Sequence, residues 1–230
     1  MLAGGSGGLG SAAAGLLAAE GAKLVLSYRA TRERAERLHG SAHIVQADLS
    51  VDADRKRLLD AAPEIYGLVI FAGDPARVPQ GADPREAMIR SHEMNYLGPI
   101  LLAREAAERM KAAGTPGAIV LFATMQAVAL FPGSTAYAAQ KAALVQAARI
   151  LAKECRGLAN IRVHVVSPGV TAAGMAEASV ASGKYDRYLK EGIIPRYGRP
   201  EDVARAVRFF LEPDNYVTGQ VLSVDGGLTL

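Results

Sequence analysis

Tyr137 and Lys141 are spaced so that their side chains can act on one point. They stand four residues apart near the start of an alanine-rich segment with helical periodicity, and residues at i and i+4 share one face of an α-helix. A free tyrosine has a pKa of about 10, and a neighbouring ammonium group lowers that value because it favours the phenolate. The pair is therefore a candidate general acid for the reduction of a carbonyl group. An isolated pair with this spacing is more often an ordinary contact on a helix surface, so its meaning depends on the other motifs.

A glycine-rich loop at the start of the chain is the second motif. It fits both the GxGxxG and the GxxxGxG patterns, and a segment with helical spacing follows it directly. Glycines permit a tight turn and let a pyrophosphate approach the backbone at a helix N-terminus. The loop therefore predicts a dinucleotide site whose contacts are Gly4, Ser6, Gly7, Gly8, Leu9 and Gly10.

The end of the second predicted strand bears on which dinucleotide binds. An NAD-binding fold usually has an acidic residue there for the adenosine ribose, whereas this strand ends in Tyr28 and Arg29. The planar guanidinium of Arg29 can pair with a 2′-phosphate, which favours NADP(H), and the alternative is an ordinary surface arginine. Asp48, after the third predicted strand, either binds the adenine amino group or serves as a helix cap or turn residue.

Short β-branched runs alternate with longer alanine-rich segments and must position these residues. Strands are predicted at Lys23–Ser27, His43–Gln46, Gly67–Ala72, Ala118–Ala123, Arg162–Ser167 and Gln220–Val224, and helices at Gly8–Glu20, Thr31–His39, Asp52–Ala61, Pro84–Ala113, Ser134–Gly157 and Glu201–Leu211. This alternation predicts one α/β domain over residues 1–230, a doubly wound Rossmann-type parallel sheet of about seven strands with helices on both faces. Because only Met1–Ala3 precede the glycine loop, the first strand is either unusually short or truncated.

The composition excludes several other classes of protein. The chain has 230 residues, is 50% hydrophobic, carries a net charge of +3 and contains one cysteine, Cys155. It is too apolar to be disordered, and its small charge gives no reason to expect a nucleic-acid partner. We expect no disulfide, no signal peptide, no membrane span and no metal, since His39, His43, His92 and His164 lack metal-ligand spacing. A cytoplasmic location is the expectation.

Further motifs accompany the tyrosine and the lysine in a fixed order along the chain. They are Asn95 within Met94–Gly98, Thr124 at the end of a strand thirteen residues before Tyr137, Ser167-Pro168-Gly169, and Val224–Gly227. With these motifs the sequence resembles the short-chain dehydrogenase/reductase family over essentially its whole length. It is most similar to the 3-oxoacyl-acyl-carrier-protein reductases, a resemblance carried by Ile194–Val203 and Thr218–Gly227. The enoyl-reductase branch usually has six residues between its tyrosine and lysine, where this chain has three.

The resemblance implies a reductase that uses NADPH to convert a ketone, such as a 3-oxoacyl thioester, to a secondary alcohol. Tyr137 would donate a proton to the carbonyl oxygen, and Lys141 would lower the pKa of Tyr137 and bind the nicotinamide ribose. Thr124, in a position usually held by serine, would orient the carbonyl, and Asn95 would hold a water in a proton relay. The cofactor contacts that the resemblance adds are Leu49, Ala72, Gly73, Pro168, Gly169 and Val170.

The chain departs from the family pattern at a few positions. Ala3 and Ile70-Phe71 replace a threonine and two asparagines of the family, where the threonine and one of the asparagines help join the first strand to the fourth. Losing both polar partners can be nearly neutral, so we interpret the change as a paired apolar replacement. Ala173 stands where family members often have a threonine that binds the cofactor carboxamide, which weakens the expected nicotinamide contact.

Some alternatives remain open from the sequence. The chain could instead oxidise a secondary alcohol or a sugar, or could bind a dinucleotide without catalysis. The basic segment Met175–Ile193 suits an acidic carrier protein or a coenzyme A phosphate, or is a solvated helix. The family's architecture implies a homotetramer that uses the two long helices. Their small faces, Ala103, Ala106 and Ala107 on one and Ala138, Ala142 and Ala148 on the other, could equally pack only on the sheet.

Overall fold

The described residues form one parallel sheet of seven strands. The computed structural model describes residues 1–38 and 42–230, so His39 and the end of the predicted Thr31–His39 helix lie outside the described residues. The strand order is β3-β2-β1-β4-β5-β6-β7, and neighbouring strands are parallel. The strands are β1 Leu2–Ala3, β2 Val25–Tyr28, β3 His43–Gln46, β4 Gly67–Ile70, β5 Gly117–Phe122, β6 Ile161–Pro168 and β7 Val221–Val224. The predicted fold class, a doubly wound Rossmann-type sheet, is confirmed.

Helices cover both faces of this sheet. They are α1 Gly8–Ala19, α2 Arg32–Leu38, α3 Asp52–Asp60, α4 Pro84–His92, α5 Gly98–Ala113, α6 Thr135–Glu154, α7 Glu177–Ala181, α8 Asp186–Lys190 and α9 Pro200–Leu211. Buried side chains of α3, α5 and α6 form a core on one face, and those of α1 and α9 form a core on the other. Strands between two such layers must be apolar on both sides, as β5 is along its whole length. No helix in the described part of the chain is both long and apolar enough to cross a membrane.

The first strand is only two residues long, yet it lies inside the sheet, between β2 and β4. Leu2 pairs with Leu26 on one side and Val69 on the other, and Ala3 pairs with Ile70. The backbone N–H of Phe71 donates to the carbonyl of Ala3 at 2.8 Å. Ala3 and Ile70 are both fully buried among apolar neighbours. The paired apolar replacement therefore leaves neither position with a buried polar side chain that lacks a hydrogen-bond partner.

The long helix predicted over Pro84–Ala113 is interrupted by a π-helical turn. This turn spans Glu93–Leu97 between α4 and α5, and Asn95 lies at its middle. A π-turn adds one residue to a helical repeat and is often found at functional sites. It therefore changes the direction in which Asn95 faces relative to the rest of the helix.

The small residues of the two long helices mostly pack inside this chain. Ala103, Ala106, Ala107 and Ala148 are at most 1% exposed and belong to the core beneath the sheet. The interpretation that these four alanines form a face for another copy is wrong, because their own sheet already covers them. Ala142 is exposed.

Candidate active site

A cleft of about 640 Å³ opens at the carboxyl ends of the strands. Ligands of open α/β sheets bind at this edge, where loops from different strands converge. Most of the predicted site residues line it: Gly4, Ser6, Gly7, Gly8, Leu9, Gly10, Tyr28, Arg29, Leu49, Ala72, Gly73, Thr124, Tyr137, Lys141, Pro168, Gly169 and Val170. Of the predicted residues, Asp48 and Asn95 lie outside this lining.

The glycine loop is packed too closely to accept side chains. A Cβ on Gly8 would lie 2.7 Å from the backbone nitrogen of Gly174, and a Cβ on Gly10 would lie 2.7 Å from the Cα of Gly5. Gly4 has a φ of +78°, and its N–H donates to the buried hydroxyl of Ser27 at 3.0 Å. Helix α1 begins at Gly8, so its first unpaired N–H groups face the cleft. These residues fit the pyrophosphate of a dinucleotide.

Arg29 and Asp48 differ in their relation to the cleft. Arg29 lines the cleft with an exposed side chain, whose Nη1 lies 3.6 Å from the sulfur of Met94. The Oδ1 atom of Asp48 instead accepts from the N–H of Ser50 at 3.0 Å and from its hydroxyl at 2.7 Å. Oδ1 of Asp48 thus has the turn role that the sequence left open, and the adenine contact of Asp48 stays a prediction.

Helix α6 places Tyr137 and Lys141 beside the end of β5. The ammonium group of Lys141 donates to the carbonyl of Phe122 at 2.8 Å, and Lys141 is 2% exposed. Thr124 is buried just after β5, and its Oγ1 accepts from the N–H of Gln126 at 3.3 Å. The side chain of Thr124 lies close enough to Tyr137 to lower the pKa of its phenol slightly. The three side chains of the predicted catalytic set that line the cleft therefore lie together.

Burial controls the protonation of this pair. It raises the pKa of Tyr137 to about 12, against a smaller lowering by the hydrogen bond from Thr124. It also lowers the pKa of Lys141 to about 7. Our expectation that Lys141 lowers the pKa of Tyr137 below its usual value is wrong for the chain alone. Loss of water disfavours the charged form of each group, and it is the largest cause of both shifts.

The side chain of Asn95 forms hydrogen bonds with the loop between β4 and α4 and does not line the cleft. Its side-chain amide accepts from the N–H of Asp74 at 3.0 Å and donates to the carbonyl of Asp74 at 2.8 Å. The same amide donates to the buried hydroxyl of Ser91 at 3.0 Å. Ser91 was missed from the sequence, although its position four residues before Asn95 on a helical segment could have revealed it.

Gly73 connects Asn95 with the reactive pair. A Cβ on Gly73 would lie 2.9 Å from Oδ1 of Asn95 and 3.5 Å from Nζ of Lys141. The missing side chain therefore allows Asn95, Lys141 and the end of β4 to approach one another. Any larger residue at this position would separate them.

The segment after β6 closes the other side of the cleft. The lid, which we define as residues 174–199, contains α7 and α8, and six of its residues line the cleft: Gly174, Met175, Ala176, Ser179, Lys184 and Tyr185. Tyr197 donates to Oδ1 of Asp186 at 2.8 Å, which joins the C-terminal part of the lid to the start of α8. Thr171 is buried and its hydroxyl donates to the carbonyl of Gly169 at 3.4 Å, while Ala173 offers no hydroxyl.

Comparisons with known proteins agree with this fold. Residues 3–229 match the sequence model of a family described as enoyl-(acyl carrier protein) reductase. The chain is 35% identical to carbonyl reductase family member 4 of Danio rerio, over 99% of this chain and 96% of that protein. It is 32% identical to the 3-oxoacyl-[acyl-carrier-protein] reductase of Mus musculus, over the same shares of the two chains. The solved structure of a short chain dehydrogenase/reductase family protein superposes with a TM-score of 0.87 at 33% identity, covering 99% of this chain and 96% of that one.

The chain therefore belongs to the short-chain dehydrogenase/reductase family, whose members are oxidoreductases that bind a nicotinamide dinucleotide.

Proposed function

We propose that this protein reduces a ketone to a secondary alcohol with NADPH, and that its substrate class is the 3-oxoacyl thioesters of coenzyme A or of a carrier protein. The observation that carries the proposal is the placement of Thr124, Tyr137 and Lys141 in one cleft with the glycine loop. The name of the mouse relative supports the substrate class. The matched family is described by enoyl reduction, but three residues between Tyr137 and Lys141 favour carbonyl reduction.

Three residues, Tyr137, Thr124 and Lys141, have separate roles in protonating the carbonyl oxygen. Tyr137 holds its proton at neutral pH, because burial raises its pKa to about 12, and donates it to the carbonyl oxygen. Thr124 orients that oxygen through its hydroxyl. Lys141, whose pKa burial lowers to about 7, gains proton affinity as negative charge develops on Tyr137, and its ammonium then stabilises the phenolate. The nicotinamide supplies the hydride when it is bound.

Cofactor preference rests on Arg29. The glycine loop and the N-terminus of α1 would hold the pyrophosphate, and the exposed guanidinium of Arg29 would pair with the 2′-phosphate of NADPH. The other cofactor contacts proposed are those of the predicted residues in the cleft lining, together with Asp48 for the adenine amino group. We also propose that the protein acts as a cytoplasmic homotetramer, on the strength of its family membership.

Product analysis with both cofactors tests this proposal. Acetoacetyl-CoA and NADPH should give 3-hydroxybutyryl-CoA by mass spectrometry, with one NADPH consumed for each product. NADPH should exceed NADH in kcat/KM by roughly tenfold or more, the value of a charge-assisted hydrogen bond. Arg29→Asp should reverse this preference, whereas Arg85→Asp, an exposed change on α4, should not. Equal use of both cofactors by the unchanged protein would contradict the role of Arg29, and absence of the product would contradict the substrate class.

A further inference from the structure

The side chains around the cleft carry charge of one sign. Arg29, Arg77, Lys141 and Lys184 line it, and no Asp or Glu is among the described residues of the lining. Under the proposed function Arg29 binds the cofactor phosphate and Lys141 assists the proton donor. Arg77 and Lys184 have no such assignment. Clefts lined by one sign of charge concentrate ligands of the opposite sign.

Arg77 is held over the cleft by the loop between β4 and α4. Its neighbour Ala76 has a φ of +49°, a left-handed conformation that is unusual for alanine, and donates its N–H to Oδ1 of Asp74 at 2.6 Å. Strained backbone of this kind persists where surrounding contacts enforce it. Oδ2 of Asp74 lies 3.4 Å from Nε of Arg90, so the carboxylate of this loop is already paired. Arg77 itself donates only to a carbonyl, that of Met175 at 3.3 Å, among the contacts of the described residues.

Lys184 approaches the cleft from the lid, between α7 and α8. It follows Gly183, whose φ is +72°, and its ammonium lies 5.6 Å from the centre of the Tyr185 ring. Asp186, the acidic residue next to it in the lid, accepts from the hydroxyl of Tyr197. Within the described part of the chain Lys184 has no carboxylate oxygen within 4.0 Å. Its charge is therefore free to meet a ligand.

Met175 locates Arg77 on the substrate side of the cleft. The carbonyl of Met175 accepts from Arg77, and its Cε would lie 3.8 Å from a Cβ on Gly73, at the point where Lys141 is 3.5 Å away. Arg77 thus contacts Met175, whose side chain lies near Lys141. Arg29 follows β2, which is separated from β4 by β1 in the sheet. Arg77 and Lys184 therefore stand apart from the cation that meets the cofactor phosphate.

We propose that Arg77 and Lys184 form a second anion site, which binds a phosphate or carboxylate group carried by the ketone substrate. The proposal rests on the proposed function, since it assigns the anion to the molecule that Tyr137 protonates. The site discriminates between ketones by charge. A substrate with an anionic group distant from its carbonyl binds more tightly than a neutral ketone of the same reactivity.

Two thioesters with the same reactive end test this discrimination. Acetoacetyl-CoA carries phosphates, and S-acetoacetyl-N-acetylcysteamine carries none. Arg77→Gln and Lys184→Gln should each raise the KM for acetoacetyl-CoA about tenfold, as expected for a charge-assisted contact, with kcat unchanged. Neither change should alter kcat/KM for the neutral thioester. The matched controls Arg85→Gln on α4 and Lys190→Gln on α8 remove exposed cations outside the cleft lining and should affect neither substrate. Equal losses on both thioesters would overturn the proposal.

A binding measurement separates failure of the anion site from failure of the proposed reaction. Coenzyme A is titrated by calorimetry into protein saturated with NADPH, so that turnover is not required. The double variant should bind coenzyme A at least about tenfold more weakly than the unchanged protein. If both bind it equally, the anion site is wrong even where acetoacetyl-CoA is reduced. If neither thioester is reduced but the difference in binding is found, the anion site stands and the proposed reaction fails.

The source of the anion is resolved by competition with the neutral thioester. 4′-Phosphopantetheine and glutarate are compared as inhibitors, one carrying a phosphate and the other carboxylates. Stronger inhibition by 4′-phosphopantetheine assigns the site to a carrier phosphate, and stronger inhibition by glutarate assigns it to a carboxylate. Inhibition by neither compound would overturn the proposal.

Discussion

At the scale of single residues, Tyr137 and Lys141 are governed more by their removal from water than by each other. Burial raises the pKa of the tyrosine to about 12 and lowers that of the lysine to about 7. The spacing of the two residues was enough to predict that they meet. It could not predict their burial, because β5, the loop after β4 and the lid supply the surrounding atoms from distant parts of the chain.

Replacing Lys141 with methionine should stabilise the protein without cofactor, and more so at low pH. Between pH 7 and 10.5 the unfolded chain holds a proton on Lys141 that the folded protein has lost, so the stability of the unchanged protein rises with pH there. Methionine carries no such penalty, and its advantage should shrink by about 4 kcal/mol between pH 6 and pH 10. The lost hydrogen bond to Phe122 lowers the stability of the variant at every pH, so the slope carries the prediction.

Chemical unfolding at several pH values measures that slope. Lys153→Met, a change at an exposed lysine in the last turn of the same helix, serves as the control and should show a much smaller dependence. A difference between Lys141→Met and the unchanged protein that stays constant with pH would show that the lysine keeps its ordinary pKa.

At the scale of elements, the junction between α1 and the lid depends on a missing side chain. Gly8 begins α1, and its Cα faces the backbone of Gly174, which has a φ of +57°. The glycine pattern predicted the loop and the helix that follows. It gave no sign that Gly8 meets the start of the lid, since that contact joins residues far apart in sequence.

Gly8→Ala should weaken NADPH binding by about tenfold or more while the protein stays folded. The new Cβ would lie 2.7 Å from the nitrogen of Gly174, so the lid or the first turn of α1 must move, and the aligned N–H groups that meet the pyrophosphate are displaced. Quenching or enhancement of NADPH fluorescence gives the dissociation constant. In Gly67→Ala the Cβ would meet only the side chain of Leu211 at 3.1 Å, and NADPH binding should be unchanged. Equal affinities in the two variants would contradict the close packing of Gly8.

Periodicity in the sequence did not resolve some helices, for one reason at the π-turn and another in the lid. The π-turn at Glu93–Leu97 keeps the apolar repeat on both sides, so periodicity predicts one continuous helix over Pro84–Ala113. Helices α7 and α8 have five residues each, too few for a periodic pattern. The positions of β4 and β5 were predicted because both strands are continuous apolar runs that begin at a glycine.

At the scale of the whole molecule, the order of strands follows from the alternation of strands and helices and from right-handed crossovers. The way in which copies of the chain associate cannot be predicted from this alternation of strands and helices. Ala103, Ala106 and Ala107 are covered by the chain's own sheet, which is one of the two alternatives that the sequence left open for that face. Ile150 on α6 is 49% exposed and is the apolar residue that another copy would cover.

The molar mass measured by sedimentation should be four times the 24.1 kDa of one chain, as the proposed homotetramer requires. Ile150→Glu places a charge on the outer face of α6 and should lower the mass, because burying an unpaired carboxylate in an interface is costly. Val51→Glu changes another exposed apolar residue and should leave the mass unchanged. Analytical ultracentrifugation at micromolar concentration measures both. Sedimentation of the unchanged protein as a single chain would contradict the tetramer.

The role of Tyr137 as proton donor is tested most directly by comparing acetoacetyl-CoA reduction in the unchanged protein and in Tyr137→Phe, both saturated with NADPH. Loss of NADPH absorbance in a single turnover gives the rate, and NADPH fluorescence confirms that both proteins bind the cofactor equally. Tyr137→Phe should be slower by about 100-fold or more, the usual contribution of a positioned general acid, whereas Tyr216→Phe, at a fully exposed tyrosine, should not. A Tyr137→Phe rate equal to that of the unchanged protein would contradict the account, as would an unchanged protein that binds NADPH and never oxidises it.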